Sequence, residues 1–136
     1  QEVCAAAAGG LFVYGSLRSD ARRARQAALD AYALLAAGAV VEGRATVSGR
    51  LYAPDWYPGL VPGRDGRVSG ELWRLENPNL LAELDEYEGE AFVREIGQAM
   101  AEDGRQVTIW VYRYVASLSG VPLIASGDYL DWVRKK

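Results

Sequence analysis

The chain has 136 residues, half of them hydrophobic, and a formal charge of −3. That length argues for one domain with a core of ordinary size, and the acidic balance argues against a nucleic-acid partner, which calls for a basic face. The absence of histidine and the presence of one cysteine, Cys4, exclude Ser-His-Asp and Cys-His catalysis, imidazole metal sites and an intramolecular disulfide.

Residues 1–10, QEVCAAAAGG, lack the basic start and long apolar stretch of a secretory signal. They read as a disordered arm or a remnant of engineering. Leu11–Tyr14 reads as a buried strand that Gly15-Ser16 breaks. Backbone N–H groups past a strand end can form a nest for a carboxylate or an oxyanion. A plain strand-to-loop turn is the simpler alternative. Asp20 is placed to cap a helix running to about Ala36, with Gly38 ending it. Its arginines, Arg22, Arg23 and Arg25, suit a solvated face better than an anion patch. Alternation and β-branched residues over Ala39–Ala53 predict one or two strands, with Gly43 and Gly49 allowing bends or bulges. Trp56–Gly63, WYPGLVPG, reads as a loop whose apolar side chains fold over a pocket or pack on a sheet. Val68–Glu76 is a strand that leads into a helix.

That helix lies within NPNLLAELDEYEG, Asn77–Gly89. Asn77 is placed as its N-cap, Pro78 at the first helical position and Gly89 at the stop. Leu80, Leu81, Leu84 and Tyr87 share one stripe, Glu83 and Glu86 fall opposite, and Asp85 sits on the border. Glu88 projects between Leu81 and Leu84, on the apolar side. The helix macrodipole and the nearby Asp85, Glu86 and Glu90 should raise its proton affinity, which suits general acid–base work near neutral pH. A solvated acid at a helix end is the competing reading.

FVREIGQAMA (92–101) and QVTIWVYRYVAS (106–117) read as two strands flanking a Glu102-Asp103-Gly104 hairpin turn. The tail has a Ser126-Gly127-Asp128 stop and a short amphipathic end carrying Leu130, Trp132 and Val133. No repeat, linker, P-loop or dinucleotide glycine pattern is present. This order of elements predicts an α+β fold with a strongly curved, mainly antiparallel sheet.

Several stretches occur in a familiar order. They are FVYGSL (Phe12–Leu17), LYAPDWYPGLVPG (Leu51–Gly63), VSGELW (Val68–Trp73), LDEYEG (Leu84–Gly89), FVR (Phe92–Arg94) and IASGDY (Ile124–Tyr129). Together they are similar to the γ-glutamylcyclotransferase family, with its γ-glutamylamine cyclotransferase and avirulence-induced-gene-like (AIG2-like) branches. The resemblance covers about residues 11–132. It implies a small β-barrel flanked by helices, in a single domain over 11–136, with the YGSL turn and the acid before glycine facing one cavity. It makes Glu88 the catalytic acid–base group and Tyr14, Gly15, Ser16 and Leu17 the substrate loop. Phe92 and Tyr129 receive no role, because aromatics beyond the acid vary among branches.

The implied reaction is intramolecular cyclotransfer on a γ-glutamyl amide or amino acid, releasing 5-oxoproline without metal or cofactor. The partner is then a small molecule, with no nucleic acid and no membrane, and a cytoplasmic location is expected. A non-catalytic module holding a γ-glutamyl-like carboxylate is the alternative. A protein-interaction domain using WYPGLVPG and the tail aromatics stands behind both.

Overall fold

The computed structural model describes residues 10–14, 33, 35–54, 57–77 and 79–134. The described strands are β1 (Gly10–Val13), β2 (Ala39–Tyr52), β3 (Gly59–Leu75), β4 (Phe92–Ala101), β5 (Gln106–Tyr114) and β6 (Leu123–Ile124). Helix α1 (Leu80–Glu88) joins β3 to β4, and α2 (Tyr129–Arg134) follows β6. The strand order β3-β1-β5-β4-β2, with β2 pairing back onto β3, closes a five-stranded barrel, and β6 attaches to the edge of β2. All pairings are antiparallel except β1 with β5, which is parallel.

Closure explains why β1 is an unbroken apolar run. Phe12 and Tyr14 join an interior cluster with Val47, Leu60, Leu72, Ala99, Ile109 and Val111, residues drawn from all five strands. Leu11 and Val13 point the other way, into a second cluster with Leu35, Trp73, Leu80, Leu84 and Tyr112 that lies under the helices. A strand covered on both faces has no place for polar alternation. Leu80 and Leu84 are fully buried, and each contributes on the order of 1.5–3 kcal/mol of transfer free energy to docking α1.

The long β2 carries register shifts at Val41/Gly43 and Ser48/Gly49. These are the bends expected at its two glycines. The loop expected over Trp56–Gly63 is corrected: from Gly59 the chain is already strand, and Leu60 and Val61 pair with Leu51 and Arg50. The Pro and Gly signals there mark an irregular strand rather than a loop. Ser48 pairs with Arg67 and Gly49 with Pro62, so residues 63–66 bulge out of the ladder unpaired with β2. Trp56 lies outside the described residues.

Other boundaries shift by a residue or a few. Gly10, assigned from the sequence to the N-terminal arm, is the first residue of β1, paired with Arg74 and Ile109. Residues 1–9 lie outside the described residues, as does most of the helix expected from Asp20. Residues 33 and 35–38 are helical, and β2 begins directly at Ala39. The α1 cap is Asn79 rather than Asn77. Asn77 instead builds the turn before it: its Oδ1 accepts the Asn79 N–H at 3.1 Å and its carbonyl accepts the Leu80 N–H at 3.1 Å. Pro78 lies outside the described residues. The hairpin after β4 forms as expected, with the Gly104 N–H donating to the Ala101 carbonyl at 3.0 Å.

At the tail, Gly127 (φ 70°) packs so closely on β3 that a Cβ there would stand 1.9 Å from the Arg67 carbonyl oxygen. Only glycine fits that approach at that backbone angle. The Gly127 carbonyl accepts the Ser69 N–H at 2.8 Å, and Asp128 starts α2 by accepting the Leu130 N–H at 3.0 Å. Among the described residues, no helix is long and apolar enough to cross a membrane.

Candidate active site

Tyr14 follows the last residue of β1 and is buried. Its phenol oxygen accepts the Leu60 N–H at 3.1 Å and donates to the Tyr112 carbonyl at 2.8 Å. Both bonds tie the end of β1 to its neighbours. Gly15, Ser16 and Leu17 lie outside the described residues.

Glu88 is the last residue of α1, and its side chain lies outside the described residues. Its helical position is legible from the backbone: it comes four residues after Leu84 and eight after Leu80, the two buried leucines. Positions so spaced share a face. The next residue, Gly89, has φ 76° and ψ −164°, a region that is essentially restricted to glycine. Its N–H donates to the Asp85 carbonyl at 3.2 Å, and the chain turns at once into β4 at Phe92.

The last turn of α1 is held by a charged clamp. Arg94 on β4 donates from Nε to Asp85 Oδ1 at 2.8 Å and from its Nη2 to Oδ2 at 3.0 Å. The Tyr112 phenol donates to the same Oδ1 at 2.6 Å. Arg94 also lies 4.4 Å from the ring centroid of Trp110, a cation–π distance. The Arg94 hydrogen bonds hold the Asp85 carboxyl below its ordinary pKa against the opposing effect of burial, and the Tyr112 bond adds to them.

Tyr112 is the junction of the site. Its carbonyl accepts from Tyr14 and its phenol donates to Asp85, one turn before Glu88. The end of β1 and the end of α1 therefore meet at one rim of the barrel. An aromatic wall stands beside them: the Phe92 and Tyr114 centroids are 5.3 Å apart, edge to face, and Tyr57 lies 5.9 Å from Phe92. Phe92 thus sits at the rim, whereas Tyr129 opens α2 and packs on the interior cluster. Glu71, buried and bonded by the Trp73 indole at 3.2 Å, lies across from Val13, the last residue of β1.

Sequence reasoning missed the Asp85–Arg94 clamp and the Glu95–Arg113 pair, in which Arg113 Nε donates to Glu95 Oε1 at 3.0 Å. The clamp's signal was an acid on the helix border and an arginine nine residues on. The β4/β5 register that pairs Val93 with Arg113 and Glu95 with Val111 was needed to see the second.

A closed mixed barrel whose rim brings the end of β1 to a helix that stops at acid–glycine defines a protein of the γ-glutamylcyclotransferase type. The family model for γ-glutamyl cyclotransferase, AIG2-like, matches residues 11–131, and the chain belongs to that family. It is similar to the γ-glutamylcyclotransferase family protein YtfP of Escherichia coli K12, with 39% identity over 84 residues covering 60% of this chain and 68% of the relative. The protein of the same name from Citrobacter rodentium is 33% identical over 124 residues, covering 89% and 95%. The solution structure of E. coli ytfP superposes with a TM-score of 0.63 at 34% identity, over 93% of this chain and 99% of the other. Family and relatives make this an enzyme of the γ-glutamylcyclotransferase kind.

Proposed function

We propose that the protein cyclises a γ-glutamyl amide or γ-glutamyl amino acid, with Glu88 as general acid–base and the Tyr14–Leu17 segment as substrate loop. The observation that carries this reading is the Tyr112 junction, which joins the end of β1 to the last turn of α1. In the reaction, Glu88 takes a proton from the substrate's α-ammonium. The freed amine attacks the γ-carbonyl carbon, forming the C–N bond of a five-membered ring and a tetrahedral oxyanion. As that oxyanion collapses, the original amide C–N bond breaks and Glu88 returns its proton to the leaving nitrogen; the ring nitrogen, cationic since the attack, gives up its second proton, which the departing amine takes up to leave as its ammonium form. The products are 5-oxoproline and an amine or amino acid.

Nucleophile and electrophile belong to one molecule, so most of the catalysis is folding the substrate into attacking geometry. Backbone N–H groups of Gly15, Ser16 and Leu17 hold the α-carboxylate or the oxyanion. One such donor is worth about 3–4 kcal/mol in the barrier. Glu88→Gln keeps the shape and removes the base. Mass spectrometry for 5-oxoproline, over a panel of γ-glutamyl amides, should find product from the wild type and essentially none from a folded Glu88→Gln. Full turnover in the variant overturns the role of Glu88. No product from the wild type, with thermal stabilisation by the same panel, replaces the enzyme with a binding module.

A further inference from the structure

Tyr112 lies near the end of β5, directly opposite Arg94 of β4. The two side chains present their donors to one carboxylate oxygen: Arg94 Nε and the Tyr112 phenol both donate to Asp85 Oδ1, at 2.8 and 2.6 Å. They differ in what they can fix. Arg94 carries its charge on a flexible stem that can follow the carboxylate, whereas the Tyr112 ring is stiff and buried in the cluster that holds Leu11, Val13, Trp73 and Leu84. Packing therefore sets the place of the phenol, and a short bond to an ionised acceptor passes that place on to Asp85.

Asp85 carries it to the helix end. Its main-chain carbonyl accepts the Gly89 N–H at 3.2 Å, and that N–H belongs to the peptide joining Glu88 to Gly89. One residue thus bonds Tyr112 through its side chain and the Glu88–Gly89 peptide through its backbone. The hold matters because α1 has no basic residue in its last turn, and Gly89 closes it at φ 76° and ψ −164°, where glycine imposes no conformation of its own. The carbonyl of Tyr112 points to the other half of the site and accepts the Tyr14 phenol at 2.8 Å. A change to phenylalanine at this position cuts the arm to α1 and leaves the arm to β1.

We infer that Tyr112 is a positioning residue for the cyclisation, its phenol setting, through Asp85, where the backbone of Glu88 stands against the end of β1. This role rests on the γ-glutamyl reading of the reaction and adds to it the residue that spaces the acid–base group.

Tyr112→Phe in the whole chain tests it, on a γ-glutamyl amide that the wild type cyclises. Its kcat should fall about 10- to 100-fold while KM stays within about twofold, the mark of a displaced reacting group rather than of lost binding. In an Asp85→Ala background the same change should alter kcat less than about twofold, because the phenol has lost the group through which it acts. Without turnover, hydrogen exchange of the Gly89 amide should be about tenfold faster in Tyr112→Phe than in the wild type, as its last turn opens more often. Unchanged kcat, an equal fall in both backgrounds, or unchanged Gly89 exchange overturns the positioning role and leaves the reaction standing. A wild type that makes no 5-oxoproline from any γ-glutamyl amide refutes the reaction, and this role with it.

Discussion

Arg94→Ala removes the clamp on the last turn of α1, and its cost follows from what the guanidinium touches. The Arg94 side chain is 24% exposed and the Asp85 side chain 41%, so their bidentate pair is partly screened and is worth about 1 kcal/mol rather than its full Coulomb value. The Trp110 contact adds about 0.5–1 kcal/mol. The total is about 2 kcal/mol, which for a chain of this size lowers Tm by roughly 6–8 °C. The pH dependence has a definite sign. Asp85's folded pKa lies below its ordinary value near 3.8, so the carboxylate's contribution is present above that value and lost as pH falls through the depressed one. Urea unfolding should therefore show the full gap between wild type and variant at pH 7, narrowing below about pH 4 to the cation–π remainder. If Glu88 acts from the helix end, kcat should also fall, because a small displacement of a positioned group can cost orders of magnitude. A gap below about 0.5 kcal/mol at pH 7, or one that persists unchanged at pH 3, refutes the clamp as the force holding this turn.

Two further substitutions test the frame around the site. Tyr14→Phe strands the Leu60 N–H and the Tyr112 carbonyl, so the urea midpoint should fall by the equivalent of about 2–3 kcal/mol. A loss within about 0.5 kcal/mol would mean that neither bond holds β1. Gly127→Ala places a methyl against the Arg67 carbonyl and should cost more than about 3 kcal/mol, by thermal unfolding. Gly120→Ala has a similar φ of 72° but open space around it, and should lose only about 1–2 kcal/mol. Equal losses at both glycines would remove the docking contact from the explanation.

The parts of the fold legible in the sequence were those set by local chemistry. The buried pair Leu80/Leu84, the exposed Glu83 and Glu86 and the Gly89 stop follow from helical periodicity and backbone freedom. The bends of β2 follow from Gly43 and Gly49. Long-range pairing was less legible. Gly59 and Pro62 carry the composition of a loop, and their place in β3 is decided by partners on β2. The parallel seating of β1 on β5 has no local signal at all. The same limit explains the candidate site. Glu88 stood out because an acid broke an apolar stripe, whereas Asp85 and Arg94, or Glu95 and Arg113, become partners only once strands and helix are in register.

The bond from Tyr14 to Tyr112 spans 98 residues of chain, and the same separation governs how the molecule can be made. During synthesis β1 emerges before the strands it pairs with: its antiparallel partner arrives some sixty residues later and its parallel partner only after residue 106. Closing so large a loop before any contact rewards it makes this a slow step, and it exposes an apolar strand while it waits. The barrel's far-reaching first strand is thus an aggregation hazard for the nascent chain, and β5 is the segment whose arrival ends it.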